Sequence, residues 1–260
     1  MKTHLTVLAA YIRNSIKVSL QQRVGAVFFV FGKLVRFGLF GLFVYYLLKQ
    51  TTLLAGYNLN QTLVFYLTFN VIDGITQMLY REVYRFRTLI VSGDFDTVLV
   101  KPIHPFVRVL LGGVDILDLI PLAIYIGLLL YSILQLGNIT VTGVGLYLLL
   151  ILNGVLISTA FHIFVLAMGI ISTEVDHTIM IYRDITRMGT FPMDIYTQPI
   201  RTILTFIIPI GVMITFPVQA LLGILSMQNI LISLVIGAGT LIIALFFWRI
   251  ALARYQSASS

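Results

Sequence analysis

The residues with chemistry to offer are few. Among 260 residues there are ten acids, four histidines and no cysteine, so thiolate metal sites and disulfides are excluded at the outset. Asp115 and Asp118 are three apart and share a helix face, a pair that a proton-coupled carrier could titrate if it lay at mid-bilayer. The preceding 102–111 segment reads instead as an elbow at the membrane surface, which leaves both acids near the headgroups with Arg108 to neutralise them. Asp73 recurs with Asn70 and Gln77 on neighbouring turns, a polar stripe suited either to lining a pathway or to bonding another helix. His162 stands alone in an apolar run and reads as a neutral imidazole bonded to a backbone carbonyl. Glu174, Asp176 and His177 are compact but lack a second histidine at helical spacing, so no metal site is expected there. No glycine-rich segment ends in the Lys-Ser or Lys-Thr pair that cradles phosphates, and no Ser or His stands in a nucleophile motif. The chain itself is expected not to be an enzyme, and energy for any work it does must come from elsewhere.

The elements that must position these residues are membrane helices. Apolar residues make up 59% of the chain, charged residues 10%, and mean hydropathy is +1.00, a balance that a water-soluble domain does not reach. Apolar runs at 24–48, 59–80, 109–134, 142–171, 203–216 (extending toward 225) and 230–248 are each near the roughly 20 residues that one crossing requires. The expectation is an all-α integral membrane protein of six transmembrane helices in one domain, 1–260. Within it, spans 1–2 occupy 24–80, spans 3–4 occupy 109–171 and spans 5–6 occupy 203–248, with polar connections at 81–108 and 172–202 and a tail at 249–260. Pro209 and Pro217 interrupt the fifth run, so it is expected to kink and then break, with 217–228 forming a re-entrant or interfacial piece. Residues 1–23 are not expected to be a leader peptide, since Lys2, Arg13 and Lys17 are scattered through them. Leu5, Leu8, Ile12, Ile16 and Leu20 fall on one face, as in an amphipathic helix lying along the interface.

Orientation follows from lysine and arginine, which are retained on the cytoplasmic side. Arg13, Lys17 and Arg23 precede the first span; Arg81, Arg85, Arg87, Lys101 and Arg108 fill the second connection; Arg183, Arg187 and Arg201 fill the fourth; Arg249 and Arg254 follow the last, and Lys49 alone falls outside. The termini are therefore expected in the cytoplasm and the chain in the cell (inner or plasma) membrane, with Trp248 anchoring the inner interface. Lys33 and Arg36 mark the cytoplasmic end of the first span. The charge of +7 sits in these short segments and serves topology, which argues against nucleic acid as a partner.

In the 81–108 connection, Ser92, Gly93 and Asp94 start a short helix that stops at Lys101-Pro102. Leu89, Ile90, Phe95, Val98 and Leu99 are too apolar for a solvated loop, so a partner or the membrane surface is expected to cover them.

The pattern Ile90, Gly93, Phe95, Asp96, Leu99, Lys101, Pro102 and Pro105 resembles the first cytoplasmic loop of ABC-2 type permeases, in the subgroup of antibiotic and daunorubicin-type export systems. The stretch 191–223, with Pro192, Arg201, Pro209, Pro217 and Gly223, is similar to that subgroup's entrance to its fifth span. The resemblance implies a six-span permease that pairs with a second copy or a related permease, surrounded by membrane lipids. It also implies a separate cytoplasmic ATPase that holds ATP and Mg, since this chain carries no cofactor of its own. The 81–108 loop would carry the coupling helix, with Gly93, Asp94, Phe95, Asp96 and Leu99 in a groove of the ATPase and Phe95 as its apolar anchor. Export of a hydrophobic or amphipathic substrate (drug, lipid or peptide) is the implied direction, along a cleft that the second and fifth spans line with Asn70, Thr205, Phe206 and Phe216. Two rivals stay open. A proton-coupled secondary transporter would use Asp73, Asp115 or Asp118, and a membrane enzyme would use the cytoplasmic acids.

Overall fold

The computed structural model describes residues 2–21, 23–101, 104–137, 139–172 and 175–256. Among them the regular structure is helical, the one exception being an isolated bridge between Leu54 and Tyr57. This follows from the composition, because a chain in lipid must satisfy its backbone hydrogen bonds within each segment. Five helices are long and apolar enough to cross a bilayer: α2 (Arg23–Thr51), α3 (Leu59–Leu79), α7 (Leu119–Leu134, entered through a turn at Ile116–Asp118), α8 (Val141–Ser172) and α12 (Met227–Ala253). They are accompanied by α1 (Lys2–Gln21), α4 (Phe86–Val91), α5 (Asp94–Leu99), α6 (Pro105–Leu111), α9 (Val175–Arg187) and a bent pair, α10 (Ile200–Ile207) and α11 (Gly211–Leu221).

Small and amide-bearing residues hold the long helices together, as expected where lipid removes most of the hydrophobic drive. On α8, Asn153 Nδ2 donates to both the carbonyl and the Oγ of Ser233 on α12, each at 3.0 Å. Gly237 faces the same amide, and any Cβ there would overlap it. Gly154 lets α8 approach the backbone of α11 at Met213, and Gly74 lets α3 approach Leu122 of α7.

Two ends of the bundle can be distinguished. At one, the basic end, α1 lies across α6, with the Ser15 hydroxyl donating to the Val114 carbonyl at 3.0 Å and Arg108 over the Tyr11 ring at 4.4 Å. Tyr11, Ile12, Ser15 and Ile16 are turned inward while Arg13 and Lys17 are exposed; the side chains of Leu5, Leu8 and Leu20 lie outside the described residues. Buried Glu82 takes Arg108 at 2.5 Å, and Asp115 takes Arg81 at 3.4 Å. Arg108 therefore does not neutralise the Asp115 and Asp118 pair; Arg81 and Lys33 do, because the break at Gly112-Gly113 carries Arg108 back toward Glu82. That break also moves the start of the third crossing from 109 to Ile116. Trp248 is buried against Phe106, ring centroids 5.6 Å apart, and is thus a packing residue of α12 and α6 in place of an interface anchor.

The fifth crossing differs most from expectation. Asp194 accepts hydrogen bonds from Tyr57 Oη at 2.9 Å and Gln219 Nε2 at 3.0 Å, and it pairs with Arg201. Tyr57 sits in the short connection between α2 and α3, at the end opposite the basic one. Arg201 opens α10 and Gln219 closes α11, so the bent pair enters and leaves at one end. The pair bends by 74° at Ile208-Pro209-Ile210, and wide π turns flank the corner. The apolar 203–216 run is thus a re-entrant loop, broken at Pro209; Pro217 stands within α11, just after the π turn Gly211–Thr215. The crossing itself is made by α9 and the turns after it. Val175 packs at Gly169 near the end of α8, the Tyr182 hydroxyl meets Ser158 Oγ at 2.7 Å, Gly189 lies over Ile210 and Ile214, and Asp194 reaches Tyr57. Arg183 and Arg187 consequently belong to a crossing segment, and Arg201 lies at the same end as Lys49.

Candidate functional site

Between α2, α3 and α9 lies an open cavity of about 550 Å³. Each of the three elements grades it in the same sense. Read from the basic end, α2 presents Lys33 and Arg36, then Phe37 and Phe40; α3 presents Gln77 and Asp73, then Asn70, Phe69 and Tyr66; α9 and its extension present Arg183, Asp184 and Arg187, then Phe191 and Tyr196. The antiparallel run of α2 and α3 brings like to like. Phe37 stacks on Tyr66 at 5.2 Å and leans on Tyr125 at 4.5 Å, while Phe40 meets Phe191 at 5.6 Å. The cavity is aromatic toward one end and charged toward the other.

The charged end is partly self-neutralised. Lys33 Nζ pairs with buried Asp118, donates to Gln77 Oε1 at 3.1 Å and lies over the Phe29 ring at 4.6 Å. Gln77 Nε2 in turn donates to Asp73 at 2.5 Å. This chain of bonds ties α2, α3 and α7 together, so the Asn70, Asp73 and Gln77 stripe both lines the cavity and joins helices. Arg187 pairs with Asp184 at 3.2 Å. For Arg36 and Arg183 no carboxylate lies within 4.0 Å among the described residues.

His162 is buried with Nδ1 donating to the Ser158 carbonyl at 2.8 Å, the backbone bond expected of it; the ring packs against Tyr80 and Tyr182, and Nε2 meets no hydrogen-bond partner among the described residues. It does not line the cavity. No group of three metal-binding side chains occurs among the described residues, and Glu174 of the acid and histidine group lies outside them. Of the four residues expected along a substrate path, Asn70 lines the cavity and the other three do not. Thr205 is buried against Gly211, Phe206 is exposed, and Phe216 is buried, all within the re-entrant loop.

At the basic end, α4 and α5 form a short hairpin. Gly93 joins them at φ 77°, a left-handed conformation that side chains with a Cβ adopt only with strain. Ser92 and Asp94 close the turn through a 2.7 Å hydrogen bond. Pro102, the expected stop, lies outside the described residues. Phe95 is fully buried, edge-on to Phe86 at 5.3 Å and to Tyr255 at 5.0 Å, and the Tyr255 hydroxyl donates to Asp96 at 2.9 Å. Burial, helped by Asp96, pushes that hydroxyl up to about 12. Phe95 is therefore the anchor of α5 on its own bundle, not a side chain offered to a partner. Ile90 and Val98 are buried with it, and Leu89 and Leu99 are half-buried. The chain's own helices cover the apolar face that alone suggested an external cover. Exposed around this hairpin are Val91 of α4, Asp94 and Thr97 of α5, and Val100 and Lys101 just after it, with Val100 84% accessible.

A multi-span helical bundle with an interrupted re-entrant segment, a seated hairpin at its basic end and no nucleotide-binding motif has the parts of a transporter's membrane domain. The sequence matches the family described as ABC-2 family transporter protein over residues 34–259, and the chain belongs to that family. Comparison with curated proteins and with solved structures yields no match.

Proposed function

We propose that this chain is the membrane-spanning permease of an ATP-driven exporter, of the antibiotic and daunorubicin-type subgroup that its loop pattern resembles. It would work with a second permease copy, identical or related, and a separate cytoplasmic ATPase that binds ATP and Mg. The observation that carries the reading is the hairpin of α4 and α5 within a chain of this family. It is seated by Phe95, so a push on it is transmitted to α8, α9 and α12 through one packed cluster that includes Phe86, Val175 and Trp248. Asp94 and Thr97 of α5, with Val100 and Lys101 just after it, are exposed to meet an ATPase, whereas Gly93, Phe95, Asp96 and Leu99 shape and hold the helix. On this reading the basic end faces the cytoplasm, as the Lys and Arg distribution favours.

Purification from native membrane in mild detergent, with nucleotide hydrolysis measured on the eluate, tests the proposal. A stoichiometric ATPase should accompany the wild-type chain and be lost from a variant with Asp94→Arg and Val100→Asp. Intact chain with no ATPase would overturn it and bring forward the proton-coupled carrier. That rival is weakened by the pairing of Asp115 and Asp118 with Arg81 and Lys33.

A further inference from the structure

The graded cavity points to the chemistry of what it holds. A charge held inside a membrane protein is costly unless paired, which makes the partner of an intramembrane arginine the first question to ask of it. Lys33 is satisfied by Asp118 and Gln77, and Arg187 by Asp184. Arg36 and Arg183 remain, approaching Asp73 from α2 and α9, and Asp73 already accepts from Gln77. Neither guanidinium lies within 4.0 Å of that carboxylate, and Lys33, Arg36, Arg183 and Arg187 face Asp73, Asp118 and Asp184, an excess of one basic side chain. Guanidinium groups offer paired N–H donors matched to the oxygens of a carboxylate, phosphate or sulfate. Away from them, Phe37, Phe40, Tyr66 and Phe191 form an apolar wall with faces and edges for a flat or acyl body. The volume is that of a site for a drug-sized molecule.

We propose that the cavity binds an amphiphile with a single anionic head, the head between Arg36 and Arg183 and the apolar body against the aromatic wall. The inference deepens the exporter reading by naming its substrate class, and it rests on that reading only for the statement that the bound molecule is moved. The head chemistry is shared by an anionic phospholipid resident in the membrane and by an acidic solute awaiting export.

The test uses the full chain in phosphatidylcholine nanodiscs, with dansyl-undecanoic acid and its methyl ester as fluorescent probes and empty discs as the blank. The acid should bind at least tenfold more tightly than the ester. The R36Q/R183Q variant should lose that preference, and R36K/R183K should keep part of it while melting at the wild-type temperature. Equal binding of acid and ester by the wild-type chain, or an undiminished preference in R36Q/R183Q, would overturn the proposal. Phosphatidylglycerol in the disc separates the two sources: displacement of the acid identifies a resident lipid headgroup, and undisturbed binding identifies a site for the acidic solute. Neither ATP nor an ATPase enters this assay. Its failure would leave the exporter reading standing, and absence of an ATPase from the purified protein would leave the binding site standing.

Discussion

Removing the Phe95 ring, in Phe95→Ala, should detach α5 from the bundle without unfolding the protein. The side chain has no solvent exposure and lies between Phe86 and Tyr255, each edge-on within 5.3 Å. Truncating a buried phenylalanine to alanine costs about 3–5 kcal/mol. The loss falls on a six-residue helix attached at Gly93, so it is spent on local opening before it reaches the spans. At about 1.4 kcal/mol per tenfold, amide hydrogen exchange across 86–101 should accelerate on the order of a hundredfold to a thousandfold, with α3 and α8 unchanged. Tyr255→Phe keeps the ring and removes only the bond to Asp96, worth about 0.5–1.5 kcal/mol, so it should accelerate the same amides by about tenfold or less. Lys101→Ala, at an exposed side chain, should leave exchange untouched. Exchange at 86–101 in Phe95→Ala indistinguishable from wild type would refute the assignment of Phe95 as the internal anchor and return it to the role of an exposed contact.

Other consequences are open to direct measurement. Glu82→Ala leaves half-buried Arg108 without its carboxylate and should destabilise the detergent-solubilised protein by about 3 kcal/mol; the double change with Arg108→Ala should recover much of the loss in a thermal melt. Because the chain has no cysteine, single-cysteine variants report topology without background: Arg201→Cys should react with an impermeant maleimide from the same side as Asn58→Cys and opposite to Asp94→Cys, and labelling of 201 together with 94 would contradict the re-entrant loop. The Tyr255 hydroxyl is raised from 10.0 to about 12, so its contribution is complete below pH 10 and is lost as pH rises toward 12; protection of α5 should fall over that window, and Tyr255→Phe should remove the pH dependence. Gly237→Val should drive α12 off Asn153 and lower the melting temperature more than Gly239→Val, where nothing lies within 4 Å.

The spans that sequence reveals are those whose surroundings are lipid or apolar neighbours throughout. The runs behind α2, α3, α8 and α12 stand out for that reason, and hydropathy reports little else. It misleads over the fifth crossing because α9 turns Arg183, Asp184 and Arg187 toward the cavity and so has too little apolar surface to register. The 203–216 run registers strongly yet only dips into the bundle, since the Asp194 cluster holds both its ends together. A conspicuous helix breaker, Pro209, was legible; which end of the membrane the two arms return to depends on contacts between Tyr57 and Gln219, 162 positions apart. At the hairpin, Gly93 gave the turn correctly, but apolar residues of α5 could equally face a partner or their own bundle. Phe86 and Tyr255 decide that, and neither is near Phe95 in a helical repeat. The Asn70, Asp73 and Gln77 stripe was readable as polar; that it meets arginines from α2 and α9 follows only from the packing.

Phe95 and Tyr255 are 160 positions apart, with α7, α8, α9 and α12 formed between them. While the protein is being synthesised, α5 emerges early and has Phe86 on one side of its ring and solvent on the other. It gains its second wall only when α12 has been inserted and residue 255 has folded back beneath it. A partner that recognises the seated form of α5 would thereby distinguish chains in which α12 is in place from those in which it is not.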